Sequence, residues 1–137
     1  MRSDLGESHA STHFFGVVMD KEMATFLATL LHSATNTHFM HWTTNSFSQH
    51  MALNTYYDEI VELTDQLAEA YFGCYNQIKS FPNTYHMATE PVKYMESLKN
   101  FVKESRPDLP QESQFVQLVD NIAELIDTTI YKLKFLK

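Results

Sequence analysis

Residues 34–69 decide the fold, and they read ATNTHFMHWTTNSFSQHMALNTYYDEIVELTDQLAE. One amphipathic pattern ends within this stretch, a short polar turn follows, and a second amphipathic pattern begins. The turn is the polar run Thr43–Ser46, which disfavours a continuous helix. Ser46 and Gln49 have the spacing of a capping box, in which a serine and a glutamine three residues later hold the first turn of a helix. The stretch therefore predicts two helices joined by a tight turn.

Helical periodicity continues on both sides of this turn. Apolar residues recur at intervals of three and four, which predicts helices at about 21–43, 47–79, 90–105 and from near 111 to the end. Asp20 is predicted to cap the first helix, and Pro91 suits the first turn of the third. We therefore expect an all-α antiparallel four-helix bundle over residues 19–137, with a shortened third helix. Residues 1–18 are expected to form a mobile tail and then an extended segment.

Composition narrows the class of protein. The chain has 137 residues, of which 44% are hydrophobic and 20% charged, as in a single globular domain. Its net charge of −7 argues against an extended surface for DNA phosphates, so DNA is not expected as a partner. Cys74 is the single cysteine, which excludes an internal disulfide and fits a reducing compartment. No run is apolar enough for a membrane span and no signal peptide opens the chain, so a cytoplasmic protein is expected.

Histidines and carboxylates lie on the helical faces that flank the turn. His38 and His41 continue the apolar stripe that contains Leu27, Leu30, Leu31 and Ala34 on the first helix. On the second helix, His50 shares a face with Tyr57 and Val61, and an acidic row follows the border of that face. Carboxylates beside an apolar face are costly unless they are paired or bound to a cation, which predicts a metal site. The candidate ligands are His38, His41, His50, Asp65 and Glu69, with Asn54, Asp58 and Glu62 beside the metal or at its entry.

A structural interpretation of the same residues stays open. A histidine on an apolar face can serve the core by donating to a carbonyl, and an acidic row along a helix can be a solvated flank. The chain has no Glu-x-x-His motif, which argues against a di-iron site inside one subunit. It has no His-Glu-x-x-His motif for zinc hydrolysis either. Histidine and carboxylate ligands together suit Fe(II), with Mn or Zn as alternatives.

The spacing of the candidate ligands resembles a known family. The pattern His38-x11-His50-x3-Asn54-x10-Asp65-x3-Glu69 is similar to the ferroxidase pattern of the Dps miniferritins, which belong to the ferritin-like superfamily. Phe47 before the second histidine and the run Asp65-Gln-Leu-Ala-Glu69 also match. The resemblance covers about residues 24–72 well and 113–136 loosely. It implies a ferritin-like bundle that oxidises pairs of Fe(II) ions, commonly with peroxide, and stores the mineral in a twelve-subunit shell.

The resemblance also implies where each ligand comes from. The two histidines and the first acid would belong to one subunit, and the Asp65 and Glu69 positions to its two-fold mate. Asn54 departs from the pattern, because the family has an acid there. His41-Trp42 can replace His38 as the family's histidine–tryptophan pair, so either histidine can be the ligand.

The whole chain is also similar to small proteins of tailed bacteriophages, through His-x-x-His-Trp and Tyr-Lys-Leu-Lys-x-Leu-Lys stretches. A phage protein would act in the host cytoplasm.

Two functional hypotheses follow from the sequence. The first is a Dps-like ferroxidase that sequesters iron at a site between subunits. The second is a non-enzymatic oligomeric bundle, such as a phage structural or interaction protein, with a degenerate metal site. Both predict a homo-oligomer, and the first predicts one built from two-fold dimers, with twelve subunits by resemblance. Its contact is expected near the second helix and the aromatic residues Tyr56, Tyr57, Tyr71 and Phe72.

Overall fold

The computed structural model describes the backbone of residues 5–83 and 85–137, and the side chains of residues 19–83 and 85–137. Within these ranges the regular secondary structure is entirely helical. The helices are α1 (Leu5–Thr43), α2 (Phe47–Cys74), α3 (Pro91–Ser105) and α4 (Ser113–Phe135), and a 3₁₀ turn at Arg106–Asp108 joins the last two. The third helix is the shortest, with 15 residues against 39, 28 and 23. The predicted helical class and the short third helix are therefore confirmed.

The first helix begins earlier than the sequence predicts. It starts at Leu5, so the segment that was expected to be extended before residue 19 has a helical backbone. Asp20 was predicted to cap this helix, and that prediction is wrong because the helix runs through it. Its carboxylate instead accepts a hydrogen bond from the hydroxyl group of Tyr71. Residues 1–4 of the predicted tail lie outside the described residues.

The turn between α1 and α2 is stabilised by its own side chains. The Ser46 hydroxyl accepts a hydrogen bond from the main-chain nitrogen of Gln49 at 3.2 Å, as the capping box predicts. The reciprocal half of the box is absent, because the Gln49 side chain accepts from the Thr44 hydroxyl at 2.8 Å. Thr44 Oγ1 in turn accepts from the Ser46 main-chain nitrogen at 3.1 Å. The predicted start of the second helix at Phe47 is confirmed.

Contacts between α1 and α2 show that they are antiparallel. Near the end of α2, the Tyr71 hydroxyl donates to the Asp20 carboxylate of α1. Further along α1, the Ser33 hydroxyl lies 2.8 Å from the hydroxyl of Tyr56, which comes earlier in α2. Residue numbers therefore rise along one helix as they fall along the other. Both Ser33 and Tyr56 are fully buried, so this hydrogen bond lies in the core.

The helices α3 and α4 form a second antiparallel pair. Lys99 bonds Asp127 at 3.2 Å and Arg106 bonds Asp120 at 2.9 Å, again with opposed numbering. A third ion pair joins Lys134 to a glutamate of α3 at 3.4 Å. These pairs are largely exposed, so each contributes little stability by itself. They do, however, help to set the register of α4 against α3.

The two pairs pack on each other to close the bundle. α1 packs on α3, where Phe26 stacks on Phe101 at 5.7 Å between ring centroids. α2 packs on α4, where Tyr71 meets Phe115 at 6.4 Å. The order around the bundle is therefore α1, α2, α4, α3, and α2 and α3 are diagonal and point the same way. Residues 75–90 connect them, and this connection must run the length of the bundle.

The core fills the space between the four helices. Its largest fully buried side chains come from every helix: Met23, Phe26, Leu30, Leu53, Tyr56, Ile60, Leu67, Tyr71, Met95, Phe115, Ile122 and Ile126. Each large apolar side chain buried in this way contributes about 1.5–3 kcal/mol. The second helix ends at Cys74, five residues before its predicted end. Beyond this point Tyr75 turns toward α4 and its hydroxyl donates to the Glu112 carboxylate.

The long connection is attached to the bundle through Asn36 of α1, which is 1% exposed. The Asn36 amide nitrogen donates to the main-chain oxygen of His86 at 3.1 Å and to the Tyr94 hydroxyl at 3.2 Å. Its oxygen accepts from the Tyr85 hydroxyl at 2.9 Å and from the Ala88 nitrogen at 3.2 Å. All four hydrogen-bonding positions of the amide are thus used. Asn36 fixes the end of the connection on α1 and also reaches α3.

We predict that Asn36→Ala destabilises the fold by about 1–3 kcal/mol, because polar groups of the connection and of α3 lose their partner in a buried site. Urea unfolding followed by circular dichroism measures this change. The matched control is Asn100→Ala on α3, where the asparagine is exposed and the expected change is within about 0.5 kcal/mol. Equal stabilities of the two variants would contradict the role assigned to Asn36.

Candidate functional site on the outer face of α1 and α2

The two histidines that flank the turn form a reciprocal pair. The rings of His41 and His50 are stacked, with centroids 3.6 Å apart and planes within 17°. Nδ1 of His41 lies 2.7 Å from the main-chain oxygen of His50, and Nδ1 of His50 lies 2.9 Å from that of His41. Both residues are half-buried. The pair therefore ties the end of α1 to the start of α2.

These contacts determine which ring nitrogen carries the proton. A carbonyl oxygen has no proton to give, so each Nδ1 must be the donor. In the neutral ring, Nε2 then keeps its lone pair and can accept a hydrogen bond or bind a metal ion. Histidines that bind metals commonly have this arrangement, with the other ring nitrogen donating to a carbonyl or carboxylate. His41 and His50 are thus compatible with a metal site and equally with a purely structural clasp.

His38 lies one helical turn from this pair. Its ring stacks on Tyr57 with centroids 4.0 Å apart and lies 4.8 Å from the Trp42 ring. The Tyr57 hydroxyl donates to Oδ1 of Asn54 at 2.6 Å, so Asn54 already has a partner at its oxygen. Burial, and to a lesser degree the nearby Asp58 carboxylate, raise the pKa of Tyr57. Tyr57 therefore remains a protonated donor.

The structure stacks His41 on His50, whereas the His38 ring meets only the edge of the pair, with its centroid 6.0 Å from that of His41. The sequence left open which of His38 and His41 works with His50, and the register of the helical hairpin favours His41. A sequence signal existed, because His41 and His50 lie four and five residues from Asn45 at the middle of the turn. Sequence reasoning also missed the stacking of Tyr57 on His38.

The acidic residues of α2 are solvent-exposed. This holds for Asp58, Glu62, Asp65 and Glu69 alike. The argument that these carboxylates are costly without a cation is therefore wrong for a single chain, because water solvates them. All three ion pairs among the described side chains join α3 or the 3₁₀ turn after it to α4, so none involves this row.

The predicted carboxylate ligands Asp65 and Glu69 are far from His50 in one chain. Asp65 follows His50 by fifteen residues on the same helix, which corresponds to about 22 Å, and Glu69 lies about 28 Å away. Among the side chains that the structure describes, no three histidine, cysteine or acidic residues come together in a way that could hold a metal ion. The predicted ligands therefore do not form a site within one chain.

The predicted ligands nevertheless share one surface of the bundle. The core stripe of α1 is offset from the predicted one, so Leu31 is 44% exposed while Ser33 and Thr37 are buried. The core face of α2 is offset in the same way, and Val61 is 38% exposed. A groove of about 370 Å³ lies between the two outer stripes. It is lined by Ala34, Thr35, His38, Tyr57, Asp58 and Val61.

We call this surface the hairpin face. Its histidine end, next to the turn, holds His38, His41 and His50, and its acidic end holds Asp58, Glu62, Asp65 and Glu69.

None of the helices in residues 5–83 and 85–137 is both long and apolar enough to cross a membrane.

The fold and this face define a helical-bundle protein with histidine-rich and acidic ends on one two-helix surface. Residues 41–133 match the family model DUF5856, a family of unknown function, and the chain belongs to that family. The matched region begins at His41 and includes all of α2, α3 and most of α4. No curated protein and no solved structure matches the chain.

We predict that the neutral rings of His41 and His50 both carry their proton on Nδ1, because each Nδ1 donates to a carbonyl. Long-range ¹H–¹⁵N correlation spectra of the imidazole rings identify the tautomer, and His41→Gln and His50→Gln variants assign the signals. His86, an exposed residue of the connection, is the internal reference. Nε2–H tautomers in both rings would contradict the reciprocal pair.

Proposed function

We propose that the protein binds and oxidises Fe(II) at a site shared by two subunits, in the manner of a Dps-like miniferritin. The observation that carries the proposal is the orientation of His41 and His50. Both rings use Nδ1 for carbonyl oxygens, so Nε2 of each neutral ring keeps the lone pair that a metal ligand needs. The carboxylates of Asp65 and Glu69 from a second copy would complete the site.

The chemistry of these groups suits the proposed substrate. Imidazole nitrogen and carboxylate oxygen together favour Fe(II), and they also accept Mn²⁺ or Zn²⁺. Asp65 and Glu69 are exposed, so they are available to a second chain without breaking a contact within the first. Asn54 is a weaker ligand than the acid that the Dps resemblance implies, and its oxygen already accepts from Tyr57. We therefore assign Asn54 a role in positioning Tyr57 rather than in binding iron.

The connectivity of the helices supports the proposed likeness. Four-helix bundles of the ferritin-like type have a single long crossover between two helical hairpins. Here residues 75–90 make such a crossover between the α1–α2 and α3–α4 hairpins. The proposal extends to an assembly of two-fold dimers, with twelve subunits as the size that the Dps resemblance implies.

The proposed reaction is an electron transfer from iron to peroxide. Two Fe(II) ions each give one electron to one hydrogen peroxide molecule, whose O–O bond breaks to give two hydroxide ions. The protein would hold the two ions close together, so that both electrons reach one oxidant. Exposed carboxylates at the acidic end would attract the cations to the site.

A second candidate is a non-enzymatic assembly protein. The aromatic residues beside the turn favour it, because Trp42 is 65% and Phe47 is 77% exposed. Exposed aromatic clusters of this kind are common in protein interfaces. Elemental analysis of protein purified without chelators separates the candidates. Absence of a bound transition metal, together with no thermal stabilisation by Fe, Mn or Zn salts, would favour the assembly protein.

We predict that the protein accelerates anaerobic Fe(II) oxidation by peroxide above the rate in buffer, and that Glu69→Gln lowers this acceleration by about tenfold or more. Rapid-mixing absorbance at the Fe(III) band measures the rate. Glu124→Gln on α4 is the matched control, since it also removes an exposed glutamate but lies outside the hairpin face, and it is expected to behave as the wild type. Oxidation no faster than in buffer would end the proposal.

A further inference from the structure

Charge is distributed along the first two helices in an unusual way. Between Lys21 and Lys79 the sequence has no lysine or arginine. From residue 23 to residue 57 it has no acid either, and the only titratable side chains with basic character are four histidines. The following twelve residues, 58–69, then contain five acids. The hairpin face thus has one end without fixed charge and one end that is strongly negative.

Nothing within the described part of the chain neutralises the acidic end. Its carboxylates are exposed and make none of the ion pairs described above. The same face also leaves Leu31 and Val61 exposed beside the groove, although both are large apolar residues. A face with exposed apolar residues in its middle, an uncharged histidine-rich end and an acidic end is suited to a second copy of itself in the reverse orientation, where each histidine end meets an acidic end.

This inference rests on the proposed function, which requires the histidine end of one copy to meet Asp65 and Glu69 of the other. In an isologous contact each residue pair occurs twice about the two-fold axis. If His50 meets Asp65 or Glu69, the axis must pass midway between them along α2, close to Asp58 and Val61. These two residues then lie near their own counterparts in the other copy.

That position has an electrostatic consequence. Asp58 and Glu62 would approach the same carboxylates of the second copy, and the face contains no lysine or arginine to offset them. Like charges brought together in an interface oppose association strongly. A bound cation can offset them, because Nδ1 of His41 and of His50 is used for a carbonyl oxygen and Nε2 of each neutral ring keeps a lone pair that can bind a metal ion.

We propose that divalent transition metal ions control dimerisation of this protein through the hairpin face. Without metal, repulsion between the acidic residues near the axis keeps the copies apart. With metal, each bridge between the histidine end of one copy and Asp65 and Glu69 of the other supplies the missing positive charge. Assembly and occupation of the iron site are then one coupled equilibrium, in which metal binds the dimer more tightly than the monomer.

The test uses Mn²⁺, which has the required ligand preference and is stable in air, and Mg²⁺ as a control of equal charge. Light scattering coupled to size exclusion is expected to show monomers in chelator and in Mg²⁺, and dimers or larger assemblies of dimers in Mn²⁺. Equal association in Mg²⁺ and Mn²⁺ would mean simple screening of charge and would overturn the proposal. Dimers in chelator at the same protein concentration would overturn it too.

Two double variants separate repulsion from ligation, because each removes two exposed carboxylates from the same row of α2. Asp58→Asn with Glu62→Gln is expected to strengthen association in chelator by about tenfold or more, since the repulsion near the axis is lost. Asp65→Asn with Glu69→Gln is expected to abolish the response to Mn²⁺ and leave the chelator state monomeric. If both variants behave alike, the coupling is refuted.

A cysteine pair checks the position of the axis in a Cys74→Ser background. Val61 and Val116 are matched positions, since they are 38% and 36% exposed and Val116 lies on α4. In Mn²⁺, Val61→Cys is expected to be cross-linked by a short bismaleimide to the same residue of the second copy, whereas Val116→Cys is not. Equal cross-linking of the two variants would refute the position of the axis.

Iron oxidation by a protein that is already dimeric in chelator would refute the coupling but keep the proposed function. Dimerisation controlled by Mn²⁺ without iron oxidation would refute the proposed enzymatic step instead.

Discussion

The constraint on which the structure depends is the short connection between α1 and α2. Only residues 44–46 separate the two helices, so α2 must return along α1 at once. The reciprocal bonds between His41 and His50 fix the register at the turn, and the contact of Asp20 with Tyr71 maintains it at the other end. This register places the histidines and the acidic row on one surface. It also brings Ser33 and Tyr56 together in the core.

Local signals in the sequence predicted the helix boundaries that depend on local physics. Ser46 caps α2 through a hydrogen bond within its own turn, and Pro91 begins α3 because its fixed φ angle suits a first helical turn. The boundaries that failed depend on distant partners. Asp20 resembles a cap in sequence, but its carboxylate is used by Tyr71 of another helix. The end of α2 likewise depends on Tyr75, whose hydroxyl donates to Glu112, the residue just before α4.

The orientation of the helical faces that carry the candidate ligands was predicted only in part. Periodicity assigned Leu31 to the core, whereas the buried positions include Ser33 and Thr37. These hydroxyl groups can be buried because they donate to carbonyls of their own helix, Ser33 to Leu30 at 2.6 Å and Thr37 to Ser33 at 2.7 Å. A hydrophobicity pattern does not count hydrogen bonds that a side chain makes to its own helix. The actual core stripe is therefore shifted, and the histidines lie at the border between the core and the outer face.

The same border explains why Asn54 differs from the acid that the Dps resemblance implies. Asn54 lies one turn after His50, and its oxygen accepts a hydrogen bond from Tyr57, whose ring supports His38. A carboxylate there could accept the same bond, but it would put a negative charge among three half-buried histidines, in a segment that otherwise has no fixed charge. The amide keeps the hydrogen bond and avoids that charge. It thereby preserves the contrast between the two ends of the hairpin face.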